Sequence, residues 1–212
     1  MKEILAIIGF CAIISIKSNA QNLELGLKAG FGISNIHITN LPETVNHSDI
    51  FSSILSYGIN GTLNYKGNEL LGFSIEPGFI EKGWFSYKGT DHEDKYTIQY
   101  LQVPILCDFY WSEKLFFSIG PEMNYLLHAE NKSTYGSVEI TNLNNKLELS
   151  GVIGCTYKIS EDLDAGIRYS HGLTQTSDKA FWINDELDEI PSELKDYNQY
   201  LQLFIKMKLK SF

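Results

Sequence analysis

The chain has 212 residues, a formal net charge of −9 and 43% hydrophobic residues. This length suits one large β domain or two small domains, and the 13% of aromatic residues argues against a disordered chain. Because 26 acidic residues outnumber 17 basic ones, the main electrostatic attraction for a phosphate backbone is missing. Nucleic acid is therefore excluded as an expected partner.

The first twenty residues have the pattern of a secretory signal peptide. A short basic start precedes the apolar run Ile4–Ile16, and Ser18 and Ala20 supply small residues before the expected cleavage point. The run is 13 residues long, whereas a membrane-spanning helix needs about 20. We therefore expect residues 1–20 to be a cleaved signal peptide and residues 21–212 to form the mature domain.

From Gln21 onward, apolar and polar residues alternate with the period of a β-strand. The first segment, Leu23–Ile33, is apolar at every odd position and polar or glycine at every even position. Further segments repeat this alternation at Leu55–Tyr65, Leu71–Phe79, Leu101–Phe109, Leu115–Leu127, Leu147–Tyr157, Leu163–Tyr169 and Leu201–Leu209. The pattern predicts eight strands.

The two faces of these segments differ in charge. The apolar face holds 44 positions without one charged residue, whereas the other face holds 36 positions, of which ten are charged. Small residues such as Ser56, Gly58 and Asn60 on the second face suit a crowded lumen better than a water-exposed surface. Aromatic residues gather near both ends of the segments, as in the aromatic girdles of membrane barrels. The apolar face is therefore predicted to meet lipid.

The connections between successive segments alternate between long and short. Residues 66–70, 110–114 and 158–162 form the short connections. The long connections are 34–54, 80–100, 128–146 and 170–200, and Tyr96-Thr97-Ile98 is expected to extend the fourth strand backwards. A meander with short turns at one rim and long loops at the other is typical of outer-membrane barrels. We therefore predict an all-β fold, an eight-stranded antiparallel up-and-down transmembrane β-barrel. Cys107 and Cys155 fall on its lipid face with one strand between them, so we expect both to be free thiols.

Short motifs recur in order along the segments. They are Leu25-Gly26-Leu27-Lys28-Ala29-Gly30, Glu76-Pro77-Gly78-Phe79, Tyr100-Leu101-Gln102-Val103-Pro104, Gly120-Pro121-Glu122 and Gly166-Ile167-Arg168-Tyr169. With these motifs the chain resembles the small porin-family (PorT-like) outer-membrane β-barrel proteins over residues 23–209. The resemblance implies a signal peptide, an eight-stranded barrel and residence in the outer membrane, and it brings no catalytic residue to transfer.

The C-terminus departs from the usual pattern of outer-membrane strands. The chain ends at Phe212, but the alternate positions before it are Lys210, Lys208 and Lys206 instead of apolar residues. Either a terminal bulge resets the alternation, or Phe212 is not the usual assembly signal.

The charged face predicts what fills the lumen. Eight strands enclose a space that side chains just fill, and buried charges are tolerated there only when they are paired. We expect an ion-pair network whose main members come from alternate strands: Lys28, Glu76, Glu122 and Arg168. Lys82 is expected near the rim. The alternative is a narrow ion or solute pathway lined by the same residues.

All the histidines lie in or beside the long connections, at His37, His47, His92, His128 and His171. One interpretation is a surface metal site, or a hydrolase site at the loop rim that uses Ser170-His171 or Asp91-His92. No HxH, HExxH or GxSxG spacing supports it. Solvated loop residues are the better interpretation, and we expect no catalytic residue, no cofactor and no metal.

The last long connection, residues 170–200, combines acidic residues with a tryptophan. The residues that stand out are Trp182, Asp185, Glu186, Asp188 and Glu189. Such an acidic run is usually a solvated surface. The alternative is a docking loop for a cationic partner or divalent ions, with the tryptophan as an apolar anchor.

The whole pattern favours an integral outer-membrane protein with a polar, plugged lumen and a structural, surface-interaction or envelope-assembly role. Membrane lipid is its expected partner, and an envelope protein would bind through the long loops. The oligomeric state stays open. Two alternatives remain, namely a secreted soluble lipocalin-like barrel that binds a small apolar ligand, and an outer-membrane enzyme with its site at the loop rim.

Overall fold

The computed structural model describes residues 22–40, 46–177 and 194–212. In this part the elements are β1 (Leu23–Thr39), α1 (His47–Ile50), β2 (Phe51–Lys66), β3 (Leu71–Ile75), β4 (Gly78–Ser86), β5 (Asp94–Tyr110), β6 (Leu115–Ser133), β7 (Gly136–Glu139), a 3₁₀ turn (Thr141–Leu143), β8 (Leu147–Lys158), β9 (Leu163–Gly172) and β10 (Lys195–Ser211). No helix in these ranges is long and apolar enough to cross a membrane. The expected signal peptide lies outside the described residues.

The strands form a closed antiparallel ring. Each strand pairs with the next in the order β1, β2, β5, β6, β8, β9 and β10, except that β3 and β4 together stand between β2 and β5. The pairing of β10 with β1 closes the ring. β3 and β4 are two halves of one strand, interrupted at Glu76-Pro77, because proline cannot donate to a sheet. The ring therefore has eight strand positions, and the predicted eight-stranded barrel is confirmed.

The apolar face of the strands lies outside the ring and the charged face lies inside. Phe31 is 63% exposed, and Leu25 and Ile119 are exposed on the same outer surface. Lys28 and Glu122, by contrast, are 0% and 2% exposed. A soluble barrel would show the inverse arrangement, so the lipocalin-like alternative is wrong. The predicted orientation of the two faces is confirmed.

The strands are longer than the alternation predicts. β1 continues to Thr39 instead of ending at Ile33, and β5 already begins at Asp94, inside the predicted long connection 80–100. Six extra residues lengthen β1 by roughly 20 Å at about 3.3 Å each. On the side of the long connections, which we call the upper side, much of the predicted loop is therefore strand.

In this upper extension, inward positions are apolar instead of charged. On β1, Ile36 and Ile38 point inward and are 3% and 5% exposed. The buried apolar side chains of this region pack together and form the upper core, which comprises Ile36, Ile38, Phe51, Ile80, Trp84, Ile98, Tyr100, Leu126, Ala129, Leu194 and Tyr200. Because water replaces lipid outside the extension, burying apolar side chains inside it is favourable.

The two cysteines of the barrel lie on either side of β6. Cys107 of β5 is opposite Ile119 of β6, and Cys155 of β8 is opposite Phe117 of the same strand. Both are free thiols. One strand thus separates them, as the sequence predicts.

The chain end shows one of the two expected alternatives. On β1, Leu25 is paired with Lys210, but the next residue, Gly26, is paired with Lys208. One residue of β10 therefore bulges out of the ladder. This bulge resets the alternation before Phe212. The N–H of Phe212 donates to the carbonyl of Leu23 on β1 at 2.9 Å.

Candidate functional site: the charged lumen

Three charged side chains from different strands meet at one carboxylate inside the ring. Lys28 of β1 forms an ion pair with Oε2 of Glu76, which lies between β3 and β4. Nη1 of Arg168, on β9, lies 2.6 Å from the same oxygen. These side chains are at most 5% exposed. We call the three residues the Glu76 cluster.

The position of Glu76 follows from the break in its strand. Pro77 has no N–H, and regular strand pairing stops there. The backbone of Glu76 is held instead by both neighbouring strands: its N–H donates to the carbonyl of Pro104 at 3.1 Å, and its carbonyl accepts from Nδ2 of Asn60 at 2.8 Å. The carboxylate is thereby fixed at a height that both cations reach.

A second cluster forms around Lys82 of β4. Its Nζ lies 3.3 Å from Oε1 of Glu122 on β6 and 3.6 Å from Oε1 of Glu148 on β8. Nδ2 of Asn124 donates to both carboxylates, at 3.1 and 3.3 Å. Lys82 is 1% exposed, so its expected place near the rim is wrong, because β4 continues to Ser86 and keeps it inside the ring. We call Lys82, Glu122 and Glu148 the Lys82 cluster.

Hydroxyl groups complete the surroundings of these two carboxylates. Oγ of Ser170 donates to Oε1 of Glu122 at 3.1 Å, and Oγ of Ser150 donates to Oε1 of Glu148 at 3.0 Å. The second oxygen of Glu148 accepts from the hydroxyl of Tyr100 at 3.0 Å. Because Tyr100 also belongs to the upper core, this bond joins the ion pairs to the apolar layer above them.

The two clusters carry opposite net charges. The Glu76 cluster has two cations and one carboxylate, and the Lys82 cluster has one cation and two carboxylates. A low-dielectric interior disfavours net charge but tolerates a neutral, hydrogen-bonded set. The ring of Phe204 also lies 5.3 Å from Nζ of Lys28 and 5.4 Å from the guanidinium of Arg168, within cation–π distance. The arrangement can hold the lumen shut with every charge of the two clusters paired.

Three of the four predicted network residues make up the Glu76 cluster, whereas the fourth, Glu122, pairs with Lys82. The prediction did not include Lys82 or Glu148 among the main members. The sequence does indicate that both residues face inward. Lys82 stands at an even position, like the inward residues before it, and Glu148 is one of the ten charged residues of the inward face. The pairing could not be read there because it depends on the height of each residue in the ring.

Outside the described residues lie the predicted docking residues Trp182, Asp185, Glu186, Asp188 and Glu189. Within the described ranges, no group of three or more His, Cys, Asp and Glu side chains is arranged to hold a metal ion. Among the described residues, the predicted site residues come together in the charged lumen.

A closed antiparallel ring with an apolar outer surface and a charged interior is the architecture of an integral membrane β-barrel. The short turns at one rim and the long connections at the other are those of the outer-membrane class. The chain belongs to the family described as outer membrane protein beta-barrel domain, whose model matches residues 19–178. The protein is an integral component of the outer membrane.

Solved outer-membrane barrels resemble the chain at low sequence identity. Neisserial surface protein A (NspA) is 11% identical with a TM-score of 0.53, and the match covers 87% of this chain and 97% of that chain. Ail, the attachment invasion locus protein of Yersinia pestis, is 14% identical with a TM-score of 0.45, over 88% of this chain and 99% of that chain. The likeness to NspA shows the fold alone. The comparison with curated proteins found no match.

Proposed function

We propose that this protein is a closed, non-conducting outer-membrane platform that presents its upper extension and long connections to a partner at the cell surface. The observation that carries the proposal is the burial and pairing of the charged side chains in the lumen. The six charged side chains of the two clusters are at most 5% exposed, and all are paired. A solute pathway needs solvated charges along the axis, so the paired and buried arrangement supports a plug.

The upper extension supports the second half of the proposal. We call the outward apolar residues, such as Phe31 and Ile33 on β1, the lipid-facing belt. The strands of the upper extension continue beyond this belt and are packed around the upper core. A packed scaffold that holds connections at fixed positions is the usual basis for binding through loops. A surface or envelope protein is therefore the partner that we infer.

Recording in planar lipid bilayers tests whether the lumen is closed. The purified protein should insert without producing a steady, reproducible conductance. A heat-dependent shift in gel mobility, measured on the same sample, shows that the inserted protein is a folded barrel. Regular conductance steps from folded protein would overturn the proposal.

We propose that the acidic last connection is the part that docks a cationic partner. Its closely spaced acids beside a tryptophan support this role. The test replaces four acids with their amides at Asp185, Glu186, Asp188 and Glu189. The variant should capture less of a salt-sensitive partner from detergent-solubilised envelopes than the natural protein does. A control, Asp91→Asn with Glu93→Gln, removes one exposed and one half-buried acid from another connection and should capture as much as the natural protein. Equal capture by all three proteins would contradict the proposal.

We propose that the protein has no catalytic role. Ser170 and His171 are neighbours on β9, so their side chains point to opposite faces. Ser170 donates to Glu122 in the lumen, whereas His171 lies on the outside. His171→Gln should leave any ester hydrolysis by the purified protein at the background rate of the natural protein. A hydrolytic activity that this substitution abolishes would contradict the proposal.

We infer that the chain is a PorT-like member of its family. The motifs that carry the resemblance contain Lys28, Glu76, Glu122 and Arg168, which supply four of the six charges of the two clusters. A relative with the same motifs should therefore place the same charges together in its lumen. A solved relative that has the motifs but leaves these charges in water would contradict the inference.

A further inference from the structure

Three histidines gather on the outside of the ring, above the lipid-facing belt. His37 of β1 lies between His47 of α1 and His171 of β9, with ring centroids 6.3 and 6.0 Å away. Tyr169 of β9 and Tyr197 of β10 flank His171, each with its ring centroid 6.3 Å away. We call these five residues the histidine patch.

The patch lies where the headgroup layer of the outer leaflet begins. Ile33 of β1 and Leu201 of β10 are paired outward residues at the top of the apolar belt. His37 and Tyr197 are also paired, four residues further along their strands, which is about 13 Å of strand. Tyrosine is favoured at this depth because its ring is apolar and its hydroxyl is polar.

The patch is ordered by backbone contacts. The pairing of β1 with β2 ends at Ser34, and Nε2–H of His47 donates to the carbonyl of Ile36 at 2.8 Å beyond this end. Burial lowers the pKa of His47 below its ordinary value, the hydrogen bond to Ile36 opposes the lowering, and the nearby His37 adds to it. Protons on neighbouring imidazoles therefore repel each other, and an anion between them would relieve this repulsion.

The described outward side chains next to the patch on β1 and β10 are basic or uncharged. Lys195 lies two residues before Tyr197 on the outward face of β10, where Gln199 also lies. On β1 the outward neighbours are Asn35 and Thr39. Asp196, which directly precedes Tyr197, points inward, is 5% exposed and accepts hydrogen bonds from Ser177. The side chain of Asp49 of α1 is outside the described part. The described surroundings therefore favour an anionic ligand.

A shared metal ion does not fit the patch. Nε2 of His47 is already bound to a carbonyl. In the described ranges no set of three potential ligands meets the geometry of a metal site.

We propose that the histidine patch binds the phosphate group of an anionic lipid in the outer leaflet and takes up protons when it does so. Protonated His37 and His171, together with Lys195, donate charge-assisted hydrogen bonds to the phosphate oxygens. The tyrosine rings pack beside the glycerol and the first methylene groups. Lipid is the source of the phosphate because the patch opens sideways toward the headgroup layer.

Ring signals of labelled histidine, followed by NMR, test the proposal on the mature protein in phosphocholine micelles. The probe is dihexanoyl phosphatidylglycerol, a soluble phosphodiester lipid whose single negative charge does not change between pH 5.8 and 7.8. At pH 5.8 the probe should shift the signals of His37, His47 and His171 saturably, and at pH 7.8 its affinity should be at least about tenfold lower. Dihexanoyl phosphatidylcholine, which has no net charge, should produce no saturable shift. The absence of a saturable shift with the anionic lipid, or equal shifts with both lipids, would overturn the proposal.

Matched variants and a second probe locate the site. His37→Gln and His171→Gln should each lower the affinity for phosphatidylglycerol about tenfold, while His92→Gln, at an exposed histidine in another connection, should leave it unchanged. The same loss in all three variants, or no loss in the first two, would contradict the site. Inorganic phosphate that binds as tightly as the lipid would contradict lipid as the source. The heat-dependent gel shift shows that each variant is folded.

Discussion

Glu76→Gln should destabilise the barrel more than any other single change in the Glu76 cluster. The substitution keeps the size of the side chain but removes the one carboxylate that faces both Lys28 and Arg168. Two neighbouring cations would then lie buried in the lumen without a carboxylate in contact with them. Removing one partner of a buried ion pair costs about 3–5 kcal/mol, because the remaining charge is left uncompensated.

Substituting either cation should cost less. In Arg168→Met, Glu76 keeps its ion pair with Lys28, and in Lys28→Met it keeps the one with Arg168. Each change removes one charged hydrogen bond of a shared set, which is worth about 1.5–3 kcal/mol. The double variant Lys28→Met with Glu76→Gln should lose less stability than the sum of the two single changes, since the residues are in contact.

Urea unfolding of the protein in lipid vesicles, followed by tryptophan fluorescence, measures these free energies. A control is Glu24→Gln, which removes the carboxylate of a pair with Lys208 at 2.6 Å. These two side chains are 38% and 28% exposed, so the expected loss is below about 1 kcal/mol. High salt should leave the effect of Glu76→Gln almost unchanged, because buried pairs are poorly screened. The reasoning is refuted if Glu76→Gln costs no more than Glu24→Gln or less than Arg168→Met.

Three further predictions concern the glycines, the cysteines and the N-terminal segment. Gly120→Ala should destabilise the barrel because an added methyl would overlap a carbonyl oxygen of β5, whereas Gly151→Ala, with its nearest neighbour 3.9 Å away, should be almost neutral in the same urea titration. Cys107 and Cys155 lie on the lipid face, so a charged maleimide should label neither in folded protein in vesicles, and mass spectrometry should detect labelling only after unfolding. We propose that residues 1–20 are removed on export; the intact mass of protein from outer membranes should lack them, and a mass that includes them would contradict cleavage.

The part of the fold inside the lipid-facing belt was predictable because its alternation has one phase throughout. Odd positions such as Phe31 face lipid, and even positions such as Lys28 face the lumen. Apart from the backward extension expected at Tyr96-Thr97-Ile98, the upper extension was missed because the apolar positions change phase, as at Ile36 and Ile38, which point inward at even positions. The run of apolar residues at odd positions ends at this change, so the alternation predicts a loop there.

The charged lumen was predictable in composition but not in pairing. A strand pattern shows which side chains face inward, but not the stagger that sets their heights. The break at Pro77 adds an irregularity that brings Glu76 level with Lys28 and Arg168. Glu122 consequently pairs with Lys82, on a strand whose upper half was expected to be loop.

The change of phase also explains how the depth of the barrel in the membrane is fixed. The orientation of a strand is specified only where one face is apolar and the other is polar. This contrast is therefore needed at every height of the barrel. Within the belt, the apolar face of each strand contacts lipid, so the polar face lines the lumen and carries its charges. Above the belt, the polar face contacts water, so the apolar face points inward and forms the upper core. On β1 the change falls between Ile33, which faces outward, and Ile36, which faces inward. Moving the barrel outward by two residues would bring Ile33 into water, and moving it inward by four would bring His37 into hydrocarbon. Both shifts are unfavourable, so the sequence of β1 sets the level at which the membrane ends.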